Sequence, residues 1–367
     1  MSTRAVAPTA ETCETPTTPP PGATPPRDNG CEGNLHSPRV REGSLHSLPS
    51  RGQRNRRRAR GAMSAGSVAT ATGEGITVLA PITLVAPIEP DPGRPQRFRA
   101  ITRLAVEATE PVFAGHYPGR PIFPGVCLLD CALRSARLAR PTAVTDSRPT
   151  EIESARFTGI VVPGAIVTTE LTWQPRDEGW RCSARLSTGD GEVATIRLRY
   201  GPGRRPEQHE TVSADTVLDA ADIRRMLPHR YPILLVDRVT ELAAGERLTA
   251  TKAVTGNEFC YAADTAGTAY PVPLLLESWV QAAALLAVGT PGTGGADALL
   301  LLGSVTGVGI GKPVLPGEIV THRVILTRSL GDTLLFEGGS SVGAEPVQAV
   351  RQAVLAFRTE EPRSTHA

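Results

Sequence analysis

A histidine and a glutamate stand in segments that suit them to proton transfer. His116 lies in the turn-rich string Gly115-His-Tyr-Pro-Gly-Arg-Pro-Ile-Phe-Pro-Gly-Val126, and Glu277 lies in the apolar string Leu274–Leu286. An imidazole titrates near neutral pH and suits a general base. A carboxyl group among leucines and alanines has its pKa raised by desolvation, so it can hold a proton at pH 7. The two residue types together predict acid–base chemistry.

The chain repeats itself at a nearly constant spacing. Asp130 is matched by Glu277, 147 residues later, and Val162-Pro-Gly164 is matched by Leu315-Pro-Gly317, 153 residues later. Matches in the same order at nearly the same offset indicate an internal duplication. Only the first half has the histidine loop, and only the second half has the glutamate. The sequence therefore predicts two related halves that share one active site.

The elements that must position these residues are short strands and one long helix in each half. Runs rich in β-branched residues, such as Ile76–Ala80 and Ile166–Trp173, are typical of antiparallel strands. Helices are predicted over Val126–Leu138 and over Leu274–Val288, the second ending at Gly289. The second helix is apolar nearly all round, so we expect it to be buried. A sheet wrapped around a buried helix is an α+β architecture.

Length, charge and composition restrict the function classes. A chain of 367 residues is long enough for two domains and a tail. The formal net charge of +2 argues against a nucleic-acid-binding protein, which needs a concentrated basic face. The six cysteines form no C-x-x-C pair, and we interpret them as reduced thiols. No apolar run is long enough to cross a membrane, and no metal-ligand cluster is evident. We expect a cytoplasmic protein that binds neither membrane nor nucleic acid.

The N-terminal segment differs from the rest of the chain. Residues 1–74 are rich in Pro, Thr, Ser, Gly and Arg, and they include the largely basic run Arg54–Arg60. This composition predicts a disordered tail. We interpret the arginine run as part of a solvated tail rather than as a nucleic-acid-binding arm. Translation is expected to start at Met1 or at Met63.

Two segments resemble a known family. The loop Gly115–Val126, followed by a carboxylate at Asp130, resembles the signature loop and helix of the bacterial 3-hydroxyacyl-acyl-carrier-protein dehydratases, the FabA/FabZ hotdog family. Leu227-Pro-His-Arg-Tyr-Pro-Ile-Leu-Leu-Val-Asp-Arg-Val239 is similar to that family's opening segment. The resemblance implies a double hotdog, in which two antiparallel sheets each wrap around a central helix. The expected organisation is a tail 1–74, an N-terminal hotdog domain 75–203, a linker 204–217, a C-terminal hotdog domain 218–362 and a tail 363–367.

The resemblance also implies an active site and a reaction. In that family the loop histidine of one hotdog unit faces the helix carboxylate of the other, which by position makes His116 and Glu277 the catalytic pair. The N–H of Gly125 or of Val126 would donate to a thioester carbonyl, where a helix N-terminus stabilises developing negative charge. Gln281, one turn after the glutamate, would orient the carboxylate or contact the substrate. The implied reaction converts a 3-hydroxyacyl thioester on acyl carrier protein into a trans-2-enoyl thioester, in fatty-acid or polyketide synthesis, without a cofactor or a metal.

A second site of this kind is predicted to be inactive. Asp130 occupies the place of Glu277 in the first half, but the loop facing it, Ala262–Thr265, contains no histidine. Val272 stands where the first half has Gly125. We therefore interpret Asp130 as vestigial or structural.

Other interpretations remain open at this level. His229, in the opening segment, is interpreted as structural. The alternative functions are a hotdog thioesterase, an enoyl isomerase and a non-catalytic subunit of a synthase complex. The last of these predicts that His116 and Glu277 do not face one pocket. Assembly of double hotdogs into a homo-oligomer is also left open.

Overall fold

The computed structural model describes residues 70–71, 81–146, 148–202, 215–261, 269–291 and 299–358. The tail predicted over 1–74 lies outside these ranges except for residues 70–71, and the linker predicted over 204–217 lies outside them except for residues 215–217. The C-terminal tail 363–367 and the strand predicted over Ile76–Ala80 also lie outside the described residues.

Thirteen strands in the described residues form one sheet in which every pair of neighbours is antiparallel. The strand predicted over Ile166–Trp173 is confirmed as the main part of the fifth. The strands are β1 Thr70–Ala71, β2 Ile82–Asp91, β3 Arg94–Ala105, β4 Glu151–Phe157, β5 Ile166–Arg176, β6 Gly179–Thr188, β7 Gly191–Tyr200, β8 Arg238–Ala243, β9 Arg247–Ala253, β10 Leu299–Ile310, β11 Ile319–Leu330, β12 Thr333–Val342 and β13 Glu345–Arg358.

The order of the strands is the same on either side of a central pair. Outward from β4 the neighbours are β7, β6, β5, β3 and β2, and outward from β10 they are β13, β12, β11, β9 and β8. The short strand β1 extends the first half beyond β2 and has no counterpart among the described strands of the second half. The central pair joins the two halves into one sheet, with Ser304 opposite Arg156 and Val308 opposite Ile152. The duplication inferred from the sequence is therefore present as two halves that share the order of six strands.

Each half has one long helix, as predicted, together with short helices that were not predicted. The short helix before the opening segment begins at Asp219, whose side chain accepts from the N–H groups of Ala221 and Asp222. Asp222 accepts in return from the N–H of Asp219, which completes a capping box. The helices are α1 Val112–Gly115, α2 Gly125–Leu138, α3 Ala220–Met226 and α4 Val272–Val288, and a 3₁₀ turn covers Phe259–Tyr261.

The core lies between the sheet and the two long helices. Helix α4 packs against β9, β11 and α2, and it is buried from Pro273 to Ala287, as its apolar sequence predicts. Its C-cap is Gly289, whose N–H donates to the carbonyl of Leu285 at 2.9 Å. Polar side chains on so buried a helix need hydrogen-bond partners. Those partners define the candidate site.

Candidate active site

His116 stands where α1 ends and the turn-rich loop begins. Its backbone N–H donates to the carbonyl of Val112 at 2.9 Å, and its ring Nδ1 lies 2.9 Å from the carbonyl oxygen of Ile122. Because a carbonyl oxygen only accepts, Nδ1 carries the ring hydrogen and Nε2 keeps its lone pair. Burial lowers the pKa of His116 to about 4, so the ring is neutral at pH 7. His116 is therefore a buried base with its Nε2 open to accept a proton.

Hydrogen bonds hold the histidine loop against the second half of the chain. The N–H of Arg230 donates to the carbonyl of Gly115 at 2.8 Å. A Cβ on Gly115 would lie 2.1 Å from the carbonyl oxygen of Arg230, so only glycine allows this approach. Tyr117 has a φ of 52°, which is uncommon for a residue with a side chain, and its hydroxyl donates to the carbonyl of Leu300 at 2.7 Å. These contacts hold His116 against the opening segment and β10.

Glu277 is held on α4 by an amide one turn away. The Nε2 of Gln281 donates to Oε1 of Glu277 at 2.9 Å and to the carbonyl of Ile233 at 2.7 Å. The Oε1 of Gln281 accepts from the N–H of Leu235 at 2.8 Å. Burial raises the pKa of Glu277 to about 7, although the hydrogen bond from Gln281 opposes the rise. Glu277 is therefore a carboxyl group that keeps a large share of its proton at neutral pH.

His229 lies between the two predicted catalytic residues. Its ring centroid is 5.5 Å from those of His116 and of Tyr117, and its Nε2 is 3.5 Å from Oε1 of Glu277. Burial and the neighbouring His116 and Arg230 lower its pKa to about 3, so this contact joins a neutral ring to the carboxyl group. Among the described residues, Nδ1 of His229 has no hydrogen-bond partner. The sequence interpretation of His229 as structural did not foresee this position.

The predicted site residues line one cavity of about 350 Å³. The non-catalytic alternative required His116 and Glu277 to face different pockets, and the structure brings both to this one. Its wall is otherwise largely apolar, with Leu128, Val280 and Leu300 among its residues. All five site residues predicted from the sequence line this cavity, and His229 lines it as well. The five are His116, Gly125, Val126, Glu277 and Gln281.

The N-terminus of α2 supplies backbone donors to this cavity. The N-cap residue Pro124 makes no side-chain cap, and no acidic residue lies in the first turn. The first hydrogen bonds to the cap carbonyl come from the N–H groups of Cys127 and Leu128. The N–H groups of Gly125 and Val126 precede these and have no helical acceptor, so they can stabilise negative charge on a ligand oxygen.

The pseudo-equivalent position in the first half is built differently. Asp130 is 3% exposed, and its Oδ2 lies 3.6 Å from NH1 of Arg134, which occupies the place of Gln281. At the N-terminus of α4, Val272 is followed by Pro273, which has no N–H. The facing loop, Ala262–Thr265, lies outside the described residues.

A serine and a histidine also meet in the core. The ring Nε2 of His322 lies 2.8 Å from Oγ of Ser278, and its Nδ1 lies 2.8 Å from Oγ of Ser340. Ser278 donates to the carbonyl of Leu235 at 2.7 Å. The side chains of Ser278, His322 and Ser340 are all fully buried. They therefore satisfy one another's hydrogen bonds in the core and present no nucleophile to a substrate.

Within the described part of the chain, no group of His, Cys, Asp and Glu side chains is arranged to hold a metal ion. In the same residues, no helix is long and apolar enough to cross a membrane.

Comparison with known families gives each half a match of its own. The family model of ApeI-like dehydratases matches residues 94–196, and the FabA-like domain model matches residues 227–350. The 3-hydroxyacyl-[acyl-carrier-protein] dehydratase FabZ of Rhizorhabdus wittichii is 40% identical over 134 residues, which is 35% of this chain and 85% of that protein. FabZ of Granulibacter bethesdensis is 32% identical over 161 residues, which is 44% of this chain and 95% of that protein.

Solved structures identify the architecture. The dehydratase domain of PpsC from Mycobacterium tuberculosis, in complex with C12:1-CoA, aligns with a TM-score of 0.54 at 16% identity, over 78% of this chain and 100% of that domain. The bifunctional dehydratase-cyclase domain of ambruticin biosynthesis aligns with a TM-score of 0.53, also at 16% identity, over 75% of this chain and 95% of that domain. The predicted α+β double hotdog is thereby confirmed. The class is that of double-hotdog proteins. Within it, the chain belongs to the FabA/FabZ-like dehydratase family.

Proposed function

We propose that this protein removes water from a 3-hydroxyacyl thioester carried on acyl carrier protein and leaves a trans-2-enoyl thioester, in fatty-acid or polyketide biosynthesis. The observation that carries the proposal is that a neutral histidine from one half and a buried carboxyl group from the other line one apolar cavity. The FabZ relatives supply the substrate class by their names.

The two side chains divide the proton transfers. Nε2 of His116 takes the proton from C2 of the substrate, and the released electron pair moves toward the thioester carbonyl as an enolate. The bond between C3 and its hydroxyl oxygen then breaks as the carboxyl group of Glu277 gives its proton to that oxygen, so water leaves and the double bond between C2 and C3 forms. Return of the proton from His116 to the Glu277 carboxylate restores both groups.

The N–H groups at the start of α2 act on the carbonyl end of the substrate. When C2 loses its proton, negative charge builds on the thioester oxygen. Donation from Gly125 or Val126, with the helix dipole behind it, stabilises that charge without any reorganisation. We assign Gln281 to holding Glu277 rather than to contacting the substrate, because both ends of its amide are occupied by protein atoms.

Two features favour dehydration over thioester hydrolysis. Hydrolysis needs a nucleophile or an activated water at the carbonyl carbon, whereas dehydration needs a base and an acid, which His116 and Glu277 supply in this cavity. The Ser278 and His322 pair, which could suggest a nucleophile, is buried away from the cavity.

The test uses 3-hydroxyacyl chains of graded length on acyl carrier protein. Mass spectrometry of the carrier protein is expected to show loss of one water at one range of chain lengths, and a loss slowed by roughly 10²–10⁴-fold with the Glu277→Gln variant. Asp130→Asn serves as the matched control, because it changes a carboxyl group at the other pseudo-equivalent position. Release of free carrier-protein thiol would identify a thioesterase, and an unchanged substrate at every chain length would identify a non-catalytic subunit.

A further inference from the structure

A second cavity surrounds Asp130, at the position related to the active site by the duplication. Its volume is about 700 Å³, against about 350 Å³ for the cavity of His116 and Glu277. This volume lies within the usual range of small-molecule sites. The walls come from the later turns of α2, from the first turn of α4 and from the segment after β10.

The second cavity lacks the chemistry of the first. Asp130 lies 3.6 Å from a guanidinium, that of Arg134, where Glu277 of the first cavity has the amide of Gln281. Pro273 removes a backbone donor from the start of α4. Protein interiors close around unused space, because voids forfeit contacts. A pocket that has lost its catalytic groups and is twice the size of the working one therefore points to binding without chemistry.

Polar groups around the cavity lack partners of their own. Tyr270 is 3% exposed and Gln348 is 1% exposed, and both line the cavity. The hydroxyl of Tyr270 and both polar atoms of the Gln348 amide have no hydrogen-bond partner among the described residues. The hydroxyl of Tyr261, which also lines the cavity, has no hydrogen-bond partner among the described residues either. These polar atoms are themselves inaccessible from the cavity, so the choice of ligand depends on the apolar wall and on its charge.

The charge of the cavity wall indicates the charge of the ligand. Among the described residues that line the cavity, Arg134, Arg137, Arg148 and Lys312 are cationic and Asp130 is acidic. Lys312 also contacts the carboxylates of Glu318 and Glu345, which lie outside the lining. Arg137 and Arg148 are exposed, which places their positive charge at the mouth. The rest of the wall is apolar and includes Leu133, Leu275, Val314, Leu315 and Val347.

We propose that this second cavity is a non-catalytic binding site for an anionic amphiphile, an apolar chain that ends in a carboxylate. The apolar wall takes the chain, and the cationic mouth takes the carboxylate. The proposal does not depend on the reaction at His116, because it rests on a different set of residues.

The test measures binding of dodecanoate to the full-length chain by calorimetry, with dodecanol as the uncharged counterpart. Leu133→Trp fills the cavity, and the double variant Arg137→Glu with Arg148→Glu reverses the charge of the mouth. Each is expected to weaken dodecanoate binding about tenfold or more, while dodecanol loses affinity only with Leu133→Trp. Arg328→Glu, an exposed arginine on β11 outside the cavity, is the matched control and is expected to leave binding unchanged.

Several outcomes would overturn the proposal. These are no measurable binding by the unaltered chain, equal binding by the charge-reversed variant, and dodecanoate binding that Leu133→Trp leaves unchanged. The charge-reversed variant changes only exposed side chains, so it decides the matter even if Leu133→Trp does not fold. Because binding is read directly, failure of the dehydration assay would leave this result intact.

Discussion

Nε2 of His229 lies 3.5 Å from Oε1 of Glu277, the same oxygen that accepts from Gln281. With Nδ1 of His229 unpartnered among the described residues, the tautomer that suits this contact carries its hydrogen on Nε2. We infer that both His229 and Gln281 act on Oε1, which leaves Oε2 to hold the transferable proton, and that His229 thereby positions the carboxyl group.

Replacement of His229 tests this positioning role. His229→Leu removes a donor to the carboxylate, so we expect the pKa of Glu277 to rise, the alkaline limb of the pH–rate profile to move upward and kcat to fall. His229→Asn keeps a donor and is expected to recover part of the rate. A profile whose alkaline limb does not move, in a variant that melts normally, would reduce His229 to a packing role.

The pH dependence of kcat/KM follows from the two buried groups. His116 must be neutral, which holds above its pKa of about 4, and Glu277 must be protonated, which holds below its pKa of about 7. Activity is therefore expected to rise through pH 4, to remain level in mildly acidic solution and to decline as the pH passes 7. Steady-state rates across pH 3 to 9 measure this, and a rate that increases through pH 7 would exclude Glu277 as the acid.

Substitution of Glu277, the proposed acid, is expected to lower turnover. Glu277→Gln keeps the size of the side chain but removes the transferable proton, so turnover is expected to fall by roughly 10²–10⁴-fold.

Asp130→Asn should retain most of the turnover and should lose stability, by about 3 kcal/mol, because it breaks a buried ion pair with Arg134. Rates and melting temperatures of the two variants are to be compared, and a dead Asp130→Asn enzyme of normal stability would mean that the second pocket is catalytic.

The sharing of one site between two halves of one chain can be tested by mixing. His116→Ala and Glu277→Ala are each expected to abolish dehydration, and the double variant should be hardly worse than either, because residues that act as a unit are not additive. Mixing the two single variants should restore no activity, since each chain supplies both halves of its own site. Recovery of activity on mixing would show that halves pair between chains.

The sequence was most informative where function depends on local pattern. The loop around His116 and the apolar surroundings of Glu277 are continuous in the chain, and both long helices follow from the apolar periodicity. Helix α3 was missed although Asp219 and Asp222 form a recognisable capping box.

The position of His229 could not be read in the same way. It depends on the approach of Gly115 to Arg230, a contact between distant parts of the chain that no local pattern encodes. The joining of the two halves through β4 and β10 is of the same kind, because strand pairing across halves is set by tertiary packing rather than by propensity. The Tyr270 hydroxyl and the Gln348 amide have no hydrogen-bond partner among the described residues, and this too can be recognised only when burial is known.

The pairing of β4 with β10 has a consequence for synthesis of the chain. Once the first half has emerged from the ribosome, β4 is the open edge of its sheet, and its partner begins only at Leu299. At ordinary elongation rates this leaves the edge uncovered for on the order of ten seconds. An open strand edge is a template for pairing with other chains. Fusion of the two halves therefore gives the nascent chain an interval in which its own second half competes with neighbouring chains for β4.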